Sequence, residues 1–76
     1  MPHIVVKMYP GRTPEQKTAL AQALTKAMME NLGTPEGAIS VGIEDVEKND
    51  WMDKVARPEI GAKPATIFKQ PGYEIS

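Results

Sequence analysis

Two strand-like segments separated by a long helical one constrain the fold of this chain more than any other feature. Apolar residues alternate with mostly polar ones over 2–8 and again over 38–46, which is the period of half-buried β-strands. About 30 residues lie between them, whereas a hairpin needs only a short turn and a parallel crossover needs a long connection. The sequence therefore predicts an α+β fold, a two-layer βαβ unit with two parallel strands and one long helix.

The segment between the strands carries the start and stop signals of a single helix. Thr13 is suited to the N-cap, Pro14 fits the first helical position, and Gln16 completes a capping box with the N-cap residue. Gly33 is suited to end the helix. We therefore predict a helix over 14–32. The apolar stripe expected along it consists of Leu20, Leu24, Ala27, Met28 and Leu32.

The last third of the chain carries weaker signals. Pro58 and Pro64 are expected to interrupt any long helix in this region. Asp50 is expected to cap a short turn that begins at Trp51, and a short helix is expected near 64–70. We therefore predict a C-terminal extension made of short helices and turns.

The small size of the chain limits how this fold can be stabilised. The 76 residues include no cysteine, which excludes disulfides and thiolate metal sites. A single core of this size rarely supplies more than ~3–5 kcal/mol, and a two-stranded sheet is marginal by itself. We therefore predict a homo-oligomer that extends the sheet and covers Val5 on its free face. Each chain forms one domain over 1–76, with a βαβ core at 2–46 and the extension at 47–76.

Charge and composition exclude several classes of partner. The 9 basic and 10 acidic residues give a net charge of −1, which provides no footprint for nucleic acid and no polybasic membrane patch. Neither a membrane-spanning run nor a secretory signal pattern is present, so a cytoplasmic location is expected. The single histidine and the acidic residues near the end of the second strand do not suit a metal site. We expect neither a metal nor a cofactor.

The second residue, Pro2, offers chemistry that no internal proline has. Removal of Met1 would convert its nitrogen from an amide into a secondary amine, a base held rigidly at the start of a strand. An α-amino group has a pKa near ~7.7–8.0, and an apolar pocket or a nearby cation lowers that pKa. Arg12 is the candidate cation, and it would also bind a substrate carboxylate near the helix N-terminus. A strand-leading proline and a solvated arginine would explain the same two residues without any chemistry.

Taken together, these residues resemble the tautomerase superfamily, specifically the 4-oxalocrotonate tautomerase-like group. The residues that carry the resemblance are Pro2-His3-Ile4, Gly11-Arg12, Glu15-Gln16-Lys17 and Ile39-Ser40-Val41. The residues that resemble the bacterial PptA-type subgroup are Trp51, Glu59-Ile60 and Lys69-Gln70-Pro71-Gly72-Tyr73. That subgroup has an extended tail and forms dimers, whereas the shorter relatives form hexamers. The resemblance therefore implies a cofactor-free keto–enol tautomerase, with a homodimer favoured over a hexamer.

The resemblance also implies a role for each matching residue. Pro2 would be the general base that moves a proton next to the carbonyl of a small 2-oxo or 2-hydroxy acid. Arg12 would bind the substrate carboxylate, and Trp51 would form an aromatic wall of the site. The best-known members carry a second arginine on the second strand, where this chain has Ser40 as the substrate-binding candidate. That departure favours an aromatic enol such as enol-phenylpyruvate over a dicarboxylate.

Several alternatives stay open at this point. Lys7, Arg57, a backbone amide or water are candidates to replace the missing arginine. His3 either lines the site or is a polar partner on the sheet, and Tyr73 is expected to anchor the tail against a subunit. Superfamily relatives use a similar site for dehalogenation or decarboxylation. A catalytically silent oligomeric binding module is the alternative from another functional class.

Overall fold

The computed structural model describes all 76 residues and contains the predicted α+β arrangement. The regular elements of the first part are strand β1 (His3–Met8), helix α1 (Pro14–Leu32) and strand β2 (Ser40–Asp45). The strands pair in parallel in a two-stranded sheet, in which His3 lies opposite Ser40 and the pairing continues to Asp45. The predicted βαβ unit is therefore confirmed. None of the helices combines the length and the apolar character that a membrane span requires.

Helix α1 begins and ends at the predicted residues because both ends are capped. The Thr13 hydroxyl accepts a hydrogen bond from the Gln16 amide at 3.1 Å, and the Gln16 side chain accepts one from the Thr13 amide at 2.9 Å. These two bonds satisfy backbone donors that have no partner within the helix. Gly33 takes the left-handed conformation at φ 67°, and its amide donates to the Met29 carbonyl at 3.0 Å. A side chain at that φ would be strained, so glycine ends the helix here.

The packed stripe of α1 differs from the predicted stripe. Leu20, Leu24 and Met28 are half-buried as predicted, but Ala27 is exposed and Leu32 is 61% exposed. The other half-buried residues of α1 are Lys17, Ala21 and Thr25. The prediction was therefore wrong for two of its five residues. The cause is the rotation of the helix on the sheet, which brings two neighbouring i, i+4 rows inward and leaves side chains further round exposed.

The two faces of the sheet have different environments, because successive side chains of a strand point to opposite faces. On one face, Met8 and Val41 line cavities together with side chains of α1. We call the opposite face the outer face; its residues are His3, Val5, Lys7, Ser40, Gly42 and Glu44. Val5 is 44% exposed there, which agrees with the prediction of an uncovered second face.

Strand β2 begins later than predicted. Residues Glu36–Ala38 form a 3-10 helix, and the strand begins only at Ser40. The Ala38 amide donates to the Pro35 carbonyl at 3.1 Å. The Ile39 amide in turn donates to Glu36 at 3.0 Å. Because these donors are used within the turn, they are not available to a strand ladder.

The chain forms two compact units, Met1–Asp45 and Val46–Ser76, and the second unit is built without regular α-helix or sheet. Its elements are a 3-10 helix at Lys48–Asp50, a π-helix at Met52–Gly61 and a 3-10 helix at Pro64–Thr66. The π-helix begins after Trp51, with no side-chain cap from Asp50, and it continues through Pro58. In an α-helix the ring of that proline would clash with the carbonyl four residues earlier, and the wider π turn changes this spacing.

Two sequence predictions for this unit are thus wrong, since Pro58 does not interrupt the helix and Asp50 does not cap the turn at Trp51. The predicted short helix does begin at Pro64, but it is a 3-10 helix that already ends at Thr66. The only two buried apolar residues of the whole chain lie in the π-helix, namely Val55 and Ala56, with exposed fractions of 6% and 0%. The π-helix therefore buries two apolar residues in spite of the local helix-breaking signal at Pro58.

Candidate active site

Pro2 is anchored to the sheet immediately before β1 begins. Its carbonyl accepts a hydrogen bond from the Ser40 amide at 3.2 Å, which extends the strand pairing by one residue. The Pro2 side chain is half-buried, whereas Met1 is fully exposed. The ring is therefore held against the first rung of the sheet, and the residue in front of it is accessible from solvent.

His3 and Ser40 meet directly beside Pro2. The two residues are opposite each other in the strand register, and His3 Nδ1 lies 2.6 Å from Ser40 Oγ. Both side chains are exposed on the outer face. The sequence suggested His3 either as a site residue or as a sheet partner, and the structure pairs it with Ser40, the substrate-binding candidate on β2. The parallel register, once known, was the signal that would have revealed this pair.

Arg12 lies in the loop between β1 and α1, just after Gly11, which has a φ of 121°. It is exposed, and its guanidinium forms no ion pair within the chain. It lines a cavity of about 170 Å³ at the start of the helix, whose other lining residues are Met8, Gln16, Lys17 and Leu20. Lys17 Nζ is 3.0 Å from a carboxylate oxygen of Asp45. The cavity therefore has a free guanidinium next to a helix N-terminus, an arrangement that favours anions.

Within one chain the structure does not bring Pro2 and Arg12 together. Pro2 precedes β1, whereas Arg12 shares a cavity with Met8 at the other end of that strand. At about 3.3 Å per residue, the six steps from residue 2 to residue 8 span about 20 Å. The residues that it does bring together are Pro2, His3 and Ser40.

Trp51 belongs to the second unit, where its indole is tied to the tail. The Trp51 Nε1 donates a hydrogen bond to the Tyr73 hydroxyl at 3.0 Å. The Arg57 Nε donates to the Ser76 carbonyl at 2.6 Å, and the guanidinium also pairs with Asp53. Tyr73 therefore anchors the tail to its own chain, while the predicted contact with a subunit stays a prediction.

A larger groove of about 500 Å³ lies on the first unit, and its lining residues include Thr18, Thr25, Lys26, Met29, Glu36 and Val41. None of the predicted site residues lines this groove. The structure contains no group of three or more histidine, cysteine, aspartate or glutamate side chains arranged to hold a metal ion.

The family model and the relatives that this chain resembles in sequence are all described as tautomerases. A family model described as "Tautomerase enzyme" matches residues 2–59, so the match begins at Pro2. The chain is 44% identical over 73 residues to a "Probable tautomerase" of Xylella fastidiosa, an alignment that covers 96% of this chain and 89% of the relative. It is 41% identical over 76 residues to "Tautomerase PptA" of Klebsiella pneumoniae, covering 99% of this chain and 100% of the relative.

Solved structures give the same result for the fold. One of the 4-oxalocrotonate tautomerase isozymes from Methylibium petroleiphilum is similar with a TM-score of 0.63 and 42% identity, over 66% of this chain and 81% of that chain. TomN, described as a 4-oxalocrotonate tautomerase homologue of the tomaymycin biosynthetic pathway, has a TM-score of 0.64 and 42% identity, over 66% and 77%. The chain therefore belongs to the tautomerase family and is an isomerase of the 4-oxalocrotonate tautomerase-like group.

Proposed function

We propose that this tautomerase interconverts the keto and enol forms of small 2-oxo and 2-hydroxy acids, with the Pro2 nitrogen as the general base. The observation that carries the proposal is the anchoring of Pro2 to Ser40 at the first rung of the sheet. Removal of Met1, which is fully exposed, exposes the proline nitrogen as a secondary amine at that anchored position. The mechanism uses no metal and no organic cofactor, because a base next to an acidic C–H bond is sufficient.

In the proposed reaction, the Pro2 nitrogen both removes the proton from the substrate carbon and returns it. In the enolising direction, the Pro2 nitrogen takes a proton from the carbon next to the substrate carbonyl, and the electrons of that C–H bond form the C=C bond of the enol. In the opposite direction the protonated nitrogen returns a proton to the same carbon. The pyrrolidine ring and the hydrogen bond to Ser40 restrict the position of the nitrogen, which is what efficient proton transfer needs.

Arg12 is the proposed partner of the substrate carboxylate. Its guanidinium is unpaired within the chain and lines the cavity of about 170 Å³ at the start of α1. Two parallel N–H···O bonds from a guanidinium to a carboxylate would fix the orientation of the substrate. Because the chain spans about 20 Å from Pro2 to Met8, which shares a cavity with Arg12, a complete site takes its proline and its arginine from different copies of the chain.

Exposed surface supports a homo-oligomer, for which we propose a dimer. Within the first unit, Val5 is 44% exposed and Leu32 is 61% exposed. None of the residues of α1 is buried, although the helix has 19 residues. A second copy that covers part of this surface would also bring an Arg12 to each Pro2. We further propose that Trp51 forms an aromatic wall of this site, which suits an aromatic substrate such as enol-phenylpyruvate.

The test replaces Pro2 with alanine and measures ketonisation of enol-phenylpyruvate. We expect a loss of kcat of about 10²–10⁴-fold, the usual contribution of a general base, with an unchanged circular dichroism spectrum. Pro35→Ala, at an exposed proline outside the site, is the matched control and should retain full activity. Intact-mass measurement of both proteins determines whether Met1 has been removed. Unchanged turnover in Pro2→Ala would remove the proline from the mechanism.

Two further measurements separate the alternatives. A panel of halogenated and decarboxylatable acids, followed by NMR, would show turnover if the site performs dehalogenation or decarboxylation instead. If neither these acids nor the enols are converted while the protein remains folded and oligomeric, the chain is a silent binding module.

A further inference from the structure

We propose that His3 and Ser40 form a proton relay to the substrate oxygen, while Pro2 handles the proton on the substrate carbon. This inference rests on the proposed function and adds a second acid–base group to it. It also supplies what the missing arginine on β2 leaves open, namely the group that meets the oxygen of the developing enol.

The relay is built by the strand register. Pairing of β1 with β2 places His3 opposite Ser40, and the Nδ1–Oγ distance of 2.6 Å is that of a short hydrogen bond. The backbone ladder, which runs from this rung to the rung of Met8 and Asp45, already joins the two strands. A side-chain bond between two exposed residues is therefore not needed to hold the sheet together, and it remains accessible to a ligand.

The pair is close enough to Pro2 to act on the same small molecule. The Ser40 amide lies 3.2 Å from the Pro2 carbonyl oxygen. Adding the backbone bond lengths of Pro2 places its nitrogen at most about 7.4 Å from the Ser40 nitrogen. A substrate whose oxygen and reacting carbon are two bonds apart spans such a gap when a hydrogen bond is added at each end.

The space next to the pair is also open. Gly42 follows Ser40 on the outer face, and a β-carbon built on it would meet no atom within 4 Å. Glycine in a strand interior weakens the strand and often marks a close approach by a ligand or another backbone. Together with half-exposed Val5 on the same face, it provides an apolar surface beside the polar pair.

The relay balances the reaction without any added reactant. In the ketonising direction, the enol O–H bond breaks and its proton passes to Ser40 Oγ, as the serine hydroxyl proton passes to His3 Nδ1. The electrons of the O–H bond form the C=O bond, and those of the C=C bond take a proton from the protonated Pro2 nitrogen. His3 becomes an imidazolium and Pro2 a neutral amine, and solvent then moves one proton from the former to the latter.

The experiment compares kcat and KM for enol-phenylpyruvate in His3→Ala, Ser40→Ala and the double variant. We expect each single variant to lose about 10²-fold in kcat with little change in KM, and the double variant to lose no more than either single one. Added imidazole should restore part of the activity of His3→Ala, and Ser40→Thr, which keeps a hydroxyl, should remain active. Glu44→Gln, at the far end of the outer face, is the control and should behave like the parent.

Two of these results are readouts that a purely structural role would not produce. They are the rescue of His3→Ala by added imidazole and the retained activity of Ser40→Thr.

Three results would overturn the relay: full activity in both single variants, losses that multiply in the double variant, or no rescue by imidazole. Pro2→Ala in the same assay separates this failure from failure of the proposed base. If Pro2→Ala is inactive while the His3 and Ser40 variants are fully active, the relay is wrong and the base stands. If Pro2→Ala is fully active while the other two show coupled losses, the base is wrong and the relay stands.

Discussion

The βαβ unit and the C-terminal unit differ in what specifies and stabilises each of them. Met1–Asp45 has regular elements, a capping box, a glycine at the helix end and a complete parallel ladder, yet none of its residues is buried. Val46–Ser76 has only 3-10 and π-helical elements, yet it contains Val55 and Ala56, the two buried apolar residues of the chain. The first unit thus has strong local signals for its conformation but little apolar burial. The second unit has weak local signals but contains the buried apolar residues.

This difference indicates where each unit obtains its stability. Hydrogen bonds between neighbouring residues specify a conformation but contribute little net free energy, whereas apolar burial contributes most of the free energy of folding. In the first unit, Leu32 is 61% exposed and Val5 44% exposed, surface that only another copy or a ligand would remove from water. In the second unit, Val55 and Ala56 are already buried within one chain.

The largest effect is expected when one alanine of each unit is replaced with aspartate, a comparison that tests the contrast between the units. Ala56→Asp places an unpaired carboxylate in a fully buried position, and we expect the free energy of unfolding to fall by more than about 3 kcal/mol. Ala27→Asp, at an exposed position of α1, should cost less than about 1 kcal/mol. Urea denaturation followed by circular dichroism measures both. Equal losses would contradict the contrast between the two units.

A smaller effect is expected from the helix cap of the first unit. Thr13→Ala removes the hydroxyl that accepts from Gln16, and we expect a loss of about 1 kcal/mol. Thr18→Ala is the control, because its hydroxyl donates only to the Pro14 carbonyl within the helix and alanine is the better helix former. The melting temperature of Thr13→Ala should therefore fall, whereas that of Thr18→Ala should rise or stay unchanged. Thermal unfolding measures both. If Thr13→Ala leaves the melting temperature unchanged, assembly rather than the cap determines where the helix begins.

The smallest effect is expected at the tether of the tail. Tyr73→Phe removes the hydroxyl that accepts from the Trp51 indole, and we expect a loss of about 0.5–1 kcal/mol, since neither side chain is buried. A double-mutant cycle with Trp51→Phe, measured by urea denaturation, isolates the coupling between the two side chains. A coupling energy of zero would show that the bond does not contribute to holding the tail.

Much of the fold could be predicted because its signals are local. The cap at Thr13, the stop at Gly33 and the parallel pairing all follow from patterns that span a few residues or from the length of the crossover. The start of β2 and the π-helix through Pro58 could not be predicted. A 3-10 turn replaces the first residues of the predicted strand, and the burial of Val55 and Ala56 is not a local signal. The rotation of α1 also escaped prediction, since it depends on how two surfaces fit.

The candidate site also has a part that the sequence predicted and a part that only the structure revealed. Pro2 and Arg12 stand out by residue type and by their resemblance to a family, so the sequence alone named them. Their positions at opposite ends of β1 follow only from the direction of that strand in the folded unit. The pair of His3 with Ser40 joins residues 37 positions apart, which no local pattern reveals.

By itself the amino-acid sequence determined that the chain forms a capped helix between two parallel strands and presents a proline at their start. Capping and hydrophobic alternation act between residues that are neighbours along the chain, so they are readable before folding. Only the tertiary structure decided that His3 meets Ser40 and that a π-helix buries Val55. Register and packing depend on the free energy of contacts between distant residues, and those contacts exist only once the chain has folded.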